Sequence, residues 1–217
     1  MKRIVAVVLI LCLILSFTGC KDKDAVDVSS DDSSSSNTSS TISSFPNPQS
    51  EIKDNIPKGE ARTTLPDALA REYTLKPPTN IWSSVITLQT DGSFSGKYLE
   101  KRLEDFPEYP NGCFLICEFT GQFSNFIKID QYTFAMQLTT LTPAYEPDEF
   151  WVEDGKLFET ASPAGIENGN WFYIYCPGKP TSELEKFVTM WYHGNEVPDT
   201  LDMYGLYNPN ERYTFYG

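Results

Sequence analysis

The chain has few histidines, few cysteines and few basic residues for its 217 positions. Because His193 is the one histidine, Ser-His-Asp and Cys-His catalytic schemes are excluded unless His193 is the base. Only 17 Lys and Arg oppose 30 Asp and Glu, so the formal net charge is −13. Because phosphate backbones and anionic lipids attract clustered basic residues, we expect neither nucleic acid nor direct electrostatic adhesion to lipid, and we expect the charge mainly to maintain solubility.

The N-terminal apolar run is too short for a transmembrane helix, which needs about 20 apolar residues. It extends from Ile4 to Phe17, follows Lys2 and Arg3, and has the proportions of a secretory signal. The run ends in the order Phe17-Thr18-Gly19-Cys20 and is followed by charged residues. An uncleaved membrane helix is the competing interpretation.

The segment that ends at Cys20 resembles the lipobox of bacterial lipoproteins, in which a small residue precedes an acylated cysteine. Gly19 fits that pattern, whereas Phe17 stands where the family usually has Leu. The resemblance implies that residues 1–19 are a removed signal peptide and that Cys20 carries lipid. It also implies a protein held on the extracytoplasmic face of the cell membrane, since two or more acyl chains give stable anchoring.

Residues 20–56 continue as a segment rich in Ser, Asp, Asn and Thr. Such a composition buries too little apolar surface to offset the entropy lost on ordering, so we predict a disordered tether. Residues 57–217 are long enough to build a hydrophobic core without disulfides or metal. We therefore predict one folded domain, 57–217, behind an acylated tether.

Period-two hydrophobic patterns dominate this domain up to Cys176 and predict an antiparallel β meander. The clearest hairpin, Ile81–Glu100, has its turn at Asp91-Gly92. A three-residue loop with Gly92 in the left-handed region sets Leu88 opposite Phe94 and keeps both on one face, so we favour it over a two-residue turn. Further strands are predicted at 112–123, 132–139, 149–152, 156–160, 171–176 and 212–216.

Two short segments favour helix instead. One is Leu65–Glu72. The other begins at Thr181 or Ser182, with Glu185 completing a capping box, and ends near Gly194 with His193 at the negative end of the dipole. The expected fold is mainly β, a small barrel or strongly curved sheet with one packed helix near 181–193.

Three strings in the domain carry a second resemblance: DGSFSGKY (91–98), CEFTGQFSNFIKIDQYTFAMQL (117–138) and YIYCPGKPTSELEKF (173–187). They resemble a group of uncharacterised lipoproteins from Gram-positive, clostridia-like bacteria. That resemblance implies a lipoprotein but supplies no reaction, ligand or catalytic residue.

Three cysteines lie in the folded domain: Cys113, Cys117 and Cys176. Cys113 and Cys117 fall on one strand about 13 Å apart, which is too far for a disulfide. Pairing of Cys176 with either one is open, but all three fall on apolar faces, so we favour buried free thiols and predict no intramolecular disulfide.

Candidate chemistry is sparse. A zinc site from His193 and the cysteines would need widely separated ligands. Paired carboxylates could catalyse glycoside hydrolysis or bind calcium, although the DxDxDG spacing of a calcium loop is absent. The candidate carboxylates are Glu146, Asp148, Glu149, Glu153 and Asp154. Aromatic residues suit sugar or peptide recognition if exposed, or core packing if buried: Trp82, Trp151, Trp171, Tyr173 and Tyr175.

The sequence thus predicts a membrane-anchored, surface-exposed lipoprotein acting as a non-catalytic binding module for a cell-wall, glycan or protein ligand. We assign no catalytic, cofactor or metal residue, and Cys20 is the one assigned site. The alternative is an envelope glycan hydrolase using paired carboxylates.

Overall fold

A computed structural model describes residues 56–104, 106–193 and 196–217. Eleven strands and one short helix make up the regular structure of this part of the chain. The strands are β1 Glu60–Arg62, β2 Glu72–Leu75, β3 Trp82–Leu88, β4 Ser93–Lys101, β5 Cys113–Lys128, β6 Thr133–Pro143, β7 Phe150–Glu153, β8 Lys156–Thr160, β9 Trp171–Tyr175, β10 Gly205–Asn208 and β11 Tyr213–Tyr216. The helix α1 spans Lys186–Met190, and 3-10 turns occupy Asp67–Leu69 and Thr181–Glu183.

Eight of the strands close into an antiparallel barrel in the order β4-β3-β2-β11-β10-β9-β6-β5, with β5 pairing back onto β4. The predicted mainly β fold is confirmed. Of the two predicted forms, the structure has the small closed barrel and not the open, strongly curved sheet. Closure gives each of these strands two neighbours, so none of them is left as a free edge.

The inner face of the barrel follows the alternation predicted from the sequence. Leu88 lies opposite Phe94 and Ile86 opposite Gly96, which confirms the register of the first hairpin. Gly92 has a φ of 83°, in the left-handed region that the three-residue loop requires. On β5, Cys117, Phe119 and Phe123 alternate with more exposed residues, share the core face and are buried.

Aromatic rings fill the interior because two glycines make room for them. A side chain at Gly96 would overlap the ring of Phe119, and one at Gly121 would overlap the ring of Phe94. The ring of Phe123 packs against those of Phe94 and Phe172, with centroids 4.8 Å and 5.1 Å away. Alternating small and large residues let a small barrel be packed solid by its own side chains.

The strand β5 is much longer than its neighbours and extends beyond the barrel at one end. There β8 pairs in parallel with Cys113–Ile116 of β5, and β7 adds antiparallel to β8. We call β7, β8 and this end of β5 the extension. At the opposite end, β1 pairs with Phe126–Lys128 of β5. At about 3.3 Å per residue, the two additions lie about 40 Å apart along the strand.

The helix expected over 181–193 is much shorter in the structure. Thr181 does not cap it; its hydroxyl donates to the carbonyls of Pro198 and Asp199, and Pro180 forms a bridge with Thr200. Glu185 has an extended backbone, so α1 begins only at Lys186 and ends at Met190. The capping-box prediction was wrong because tertiary contacts take the capping groups; the predicted stop, Gly194, lies outside the described residues.

The helix expected at Leu65–Glu72 is replaced by a single 3-10 turn, Asp67–Leu69, that leads into β2. The turn buries Leu69, and the next apolar residue, Tyr73, enters the barrel as part of β2. A segment that must reach a strand position within three residues has no room for a second helical turn.

Candidate functional site

Four half-buried aromatic side chains form a row on the outer face of the extension. The Phe114 and Phe158 rings are stacked with centroids 5.6 Å apart, and Phe158 stacks on Trp151 at 5.4 Å. Tyr145 continues the row 5.1 Å beyond Trp151. We call Phe114, Phe158, Trp151 and Tyr145 the aromatic row.

The row arises from strand register. Phe114 of β5 lies opposite Phe158 of β8, and Phe158 lies opposite Trp151 of β7, so three strands place a ring at the same level. The tight turn at Asp154 and Gly155, both with positive φ, fixes the β7–β8 register. Each ring is only partly accessible, and the row presents an apolar ridge to solvent.

An open groove of about 460 Å³ lies beside the row on the outer face of the barrel. Its floor is a line of hydroxyl side chains across four adjacent strands, paired one to the next in the register of the sheet: Thr87, Ser95, Thr120 and Thr142. Such a surface offers hydrogen-bond donors and acceptors at regular strand spacing.

A single ion pair crosses the groove. Lys97 Nζ lies 2.9 Å from Glu118 Oε1, and both side chains are nearly half exposed. The hydrogen bond from Lys97 lowers the pKa of Glu118, so this carboxylate stays ionised at neutral pH. The pair supplies one anion and one cation to whatever occupies the groove.

Tyr145 joins the aromatic row to the groove. Its hydroxyl lies 3.3 Å from Glu118 Oε2, while its ring contacts Trp151. Phe114 and Glu118 are four residues apart on the same face of β5, or about 13 Å. The row and the groove therefore form one continuous surface with an apolar part and a polar part.

The sequence identified part of this surface. It singled out Trp151 as an aromatic in a strand, and the structure confirms that Trp82, Trp151 and Trp171 all lie in strands. Phe114 and Phe158 were missed, because their contact depends on a parallel pairing between residues 44 apart in the chain. The groove was missed for a similar reason, since its four hydroxyls come from four strands.

The other aromatic candidates divide between core and surface. Trp82 packs against Tyr98, Trp191 and Tyr213 at one end of the barrel, in keeping with a core role. Tyr173 and Tyr175 lie on the outer face of β9, stacked with ring centroids 6.4 Å apart, and Trp171 shares that face.

The acidic candidates lie before β7, within it and at the β7–β8 turn, and all are exposed: Glu146, Asp148, Glu149, Glu153 and Asp154. Among the residues described by the structure, no group of three or more His, Cys, Asp or Glu side chains is placed to hold a metal ion.

His193 lies three residues beyond the end of α1, so it does not occupy the helix terminus expected from the sequence. Its ring contacts that of Tyr216. Loss of hydration there, reinforced by the charge of Lys76, lowers the pKa of His193. The negative end of a helix dipole would raise this pKa instead, so the predicted place of His193 at such an end was wrong.

The three thiols of the domain are free. Cys113 and Cys117 are buried, and Cys176 is partly buried against the core, as their positions on apolar faces predicted. Burial raises the pKa of Cys117 and of Cys176 to about 11. Cys20 lies outside the described residues, so its assignment stays a prediction.

Comparisons with protein-family models, with curated proteins and with solved structures found no match to this chain. The resemblances drawn from the sequence therefore stay predictions. Within the described residues, no helix is long and apolar enough to span a membrane.

Proposed function

We propose that this protein is an exported, lipid-anchored binding module that holds a cell-wall glycan on the aromatic row and the adjoining groove. The observation that carries the proposal is the continuity of the two features: an apolar ridge joined, through Tyr145 and Glu118, to a groove lined with hydroxyls. Binding sites combine apolar surface with a few placed polar groups in this way.

The barrel interior supports an outer-surface site. Phe119, Phe123, Phe172 and Phe215 are 2% exposed or less and occupy the space inside the strands. Eight-stranded barrels either enclose a ligand or fill with side chains. This one is filled, so a ligand must be held outside.

A glycan suits the surface chemically. The apolar faces of sugar rings are buried against aromatic side chains, and their hydroxyls exchange hydrogen bonds with hydroxyl and carboxylate groups. The −13 charge does not oppose a neutral polysaccharide, whereas it opposes polyanions.

The test is cosedimentation of the full chain, in mild detergent, with insoluble peptidoglycan. We expect Trp151→Ala to weaken binding about tenfold, since one buried aromatic contact contributes about 1.5 kcal/mol or more. The matched control is Trp171→Ala, which removes a half-buried indole from the outer face of β9 and should leave binding unchanged. Equal losses in both variants, or none in either, would contradict the proposal.

The alternative of a glycan hydrolase has weaker support. Among the described residues that line the groove, Glu118 is the one carboxylate, and Lys97 lowers its pKa. A general acid needs a raised pKa and a second carboxylate about 5–10 Å away. Release of reducing ends from peptidoglycan by the wild-type chain, abolished by Glu118→Gln, would replace binding with hydrolysis.

The anchor is tested separately. Cys20→Ser should release the protein from membranes and abolish incorporation of radiolabelled fatty acid. Label that still enters the Cys20→Ser variant would contradict the assignment of Cys20 as the lipidation site.

A further inference from the structure

Among the residues that the structure describes, the extension ends in an open strand edge. The strand β7 pairs with β8 on one side and is the last strand in the order of the sheet. Two of its apolar side chains are strongly exposed, Phe150 at 75% and Val152 at 56%. Exposed apolar edges of this kind are templates for pairing with another strand.

The register of the β7–β8 hairpin determines which backbone groups of β7 bond to β8 and which do not. The two-residue turn at Asp154-Gly155 makes Glu153 and Lys156 a hydrogen-bonded pair, and the N–H of Thr160 donates to the carbonyl of Glu149. Bonded and non-bonded positions alternate along an antiparallel pair. The N–H and C=O groups of Phe150 and Val152 therefore point away from β8.

The side chains of β7 divide by face. Phe150 and Val152 project on one face, whereas Glu149, Trp151 and Glu153 project on the other. A strand added to this edge would place every second side chain beside apolar groups and the intervening side chains beside carboxylates. The complementary segment alternates basic and apolar residues.

The same charges disfavour a second copy of this chain in the register centred on Trp151. Antiparallel self-pairing centred on Trp151 would set Glu149 directly opposite Glu153, twice per pair. Like charges directly opposite each other destabilise a strand pair. Asp148 and Asp154, both exposed, add to the repulsion at the two ends.

We propose that the free edge of β7 binds an extended peptide segment of alternating basic and apolar residues by strand addition. This inference goes beyond the glycan site, because the peptide binds through the backbone edge of β7 and the face of Phe150 and Val152. Only the carboxylates of Glu149 and Glu153 share a face with Trp151 of the aromatic row. Main-chain hydrogen bonds supply the pairing, and the carboxylates select the sequence.

The test uses the full chain in mild detergent and a fluorescent eight-residue peptide that alternates Lys and Val, with a Glu-Val peptide as the negative probe. Val152→Pro removes an outward-pointing N–H, and proline is tolerated at such edge positions. We expect it to weaken Lys-Val binding about tenfold or more, because a backbone bond is lost and the ring obstructs the edge. The matched control is Val152→Thr, which retains the N–H and the β-branched shape and should bind within about threefold of wild type.

Amide hydrogen exchange distinguishes strand addition from looser adhesion. The Lys-Val peptide should slow exchange at Phe150 and Val152, and peptidoglycan binding by Val152→Pro should stay at the wild-type level. Binding without this protection, equal binding of the Glu-Val peptide, or undiminished binding by Val152→Pro would overturn the inference. So would a dimer of the chain alone that protects the same two amides, which would assign the edge to a second copy.

Discussion

The barrel and the extension share one strand, β5, but differ in the burial of their aromatic side chains and in the pairing of their strands. Inside, Phe123 is fully buried and contacts two other rings. In the extension, Phe150 is 75% exposed and the outermost strand has one neighbour. The difference follows from closure, because strands of the barrel are paired on both sides, whereas β7 and β8 are added to the end of β5 that extends beyond β6.

The difference indicates that the barrel provides most of the stability of the protein and that the extension provides surface for the proposed binding. Barrel residues contribute burial and packing, which decide whether the chain folds. In the extension, the strand β7 contributes little burial: Phe150 and Val152 leave apolar surface, acidic groups and backbone open to a ligand. Variants in the barrel should therefore change stability, and variants in the extension should change binding or local opening.

The largest contrast is expected between two phenylalanines. Phe123→Ala should lower the free energy of unfolding by about 4 kcal/mol, because it deletes a fully buried ring. Phe150→Ala should change it by less than about 0.5 kcal/mol, because that side chain is already exposed. Urea unfolding followed by tryptophan fluorescence measures both, and similar losses in the two variants would remove the distinction between the regions.

The sequence predicted the barrel where neighbours in the chain are neighbours in the sheet. The register of Leu88 with Phe94 and the core face of β5 follow from local alternation and turn residues. Three strands were missed. All four residues of β10 are buried, so it shows no alternation; all three residues of β1 are exposed; and β2 is only four residues long.

The candidate site was predicted less well for the same physical reason. Trp151 is visible as an aromatic in a strand, but the row also needs Phe114 and Phe158, which a parallel pairing brings together. Parallel pairing leaves no hairpin signal, since its connection is long. A lipid anchor is predicted from a contiguous motif, whereas a surface assembled from the six strands β3 to β8 is not.

The second contrast concerns two cysteines that are equally buried, Cys113 at 1% and Cys117 at 2%. Cys113 pairs with Leu157 of β8, and Cys117 pairs with Tyr98 inside the barrel. If the extension opens locally, Cys113 should be alkylated at least about tenfold faster than Cys117 in the native protein. Equal rates would mean that the two regions open together.

The pH dependence of the same experiment provides a check. Burial raises the pKa of Cys117 from 9.0 to about 11, so at pH 8 the folded protein has about a hundredfold less thiolate there than the unfolded chain. Native labelling of Cys117 should keep rising up to about pH 11, whereas labelling in denaturant should level off at about pH 10. In denaturant without reductant, Cys113, Cys117 and Cys176 should all react, since all three are free.

The third contrast is smaller and tests how tightly the barrel is packed. Gly121→Ala should cost about 1–3 kcal/mol, because its Cβ would overlap the ring of Phe94 and the carbonyl of Thr140. The adjacent Thr120→Ala changes an exposed residue on the outer face and should stay within about 0.5 kcal/mol of wild type. A Gly121→Ala protein as stable as wild type would show that the interior can accommodate an additional methyl group.

The smallest effect is expected from the ion pair that links β8 to the β4–β5 connection. Arg102 Nη2 lies 2.6 Å from Glu159 Oε2, but the two side chains are 35% and 45% exposed, so solvent screening limits the pair to less than about 1 kcal/mol. Arg102→Ala should therefore speed amide exchange in Leu157–Glu159 by about threefold without moving the global unfolding midpoint.

The matched control is Arg62→Ala, which removes a similarly exposed pair at the far end of β5 and should leave exchange in β8 unchanged. Because 0.5 M salt screens the Arg102–Glu159 pair, it should reproduce most of the effect in the wild-type protein. A fall in the global midpoint instead would mean that the extension and the barrel unfold as one unit, and the separation of stability from recognition would not hold.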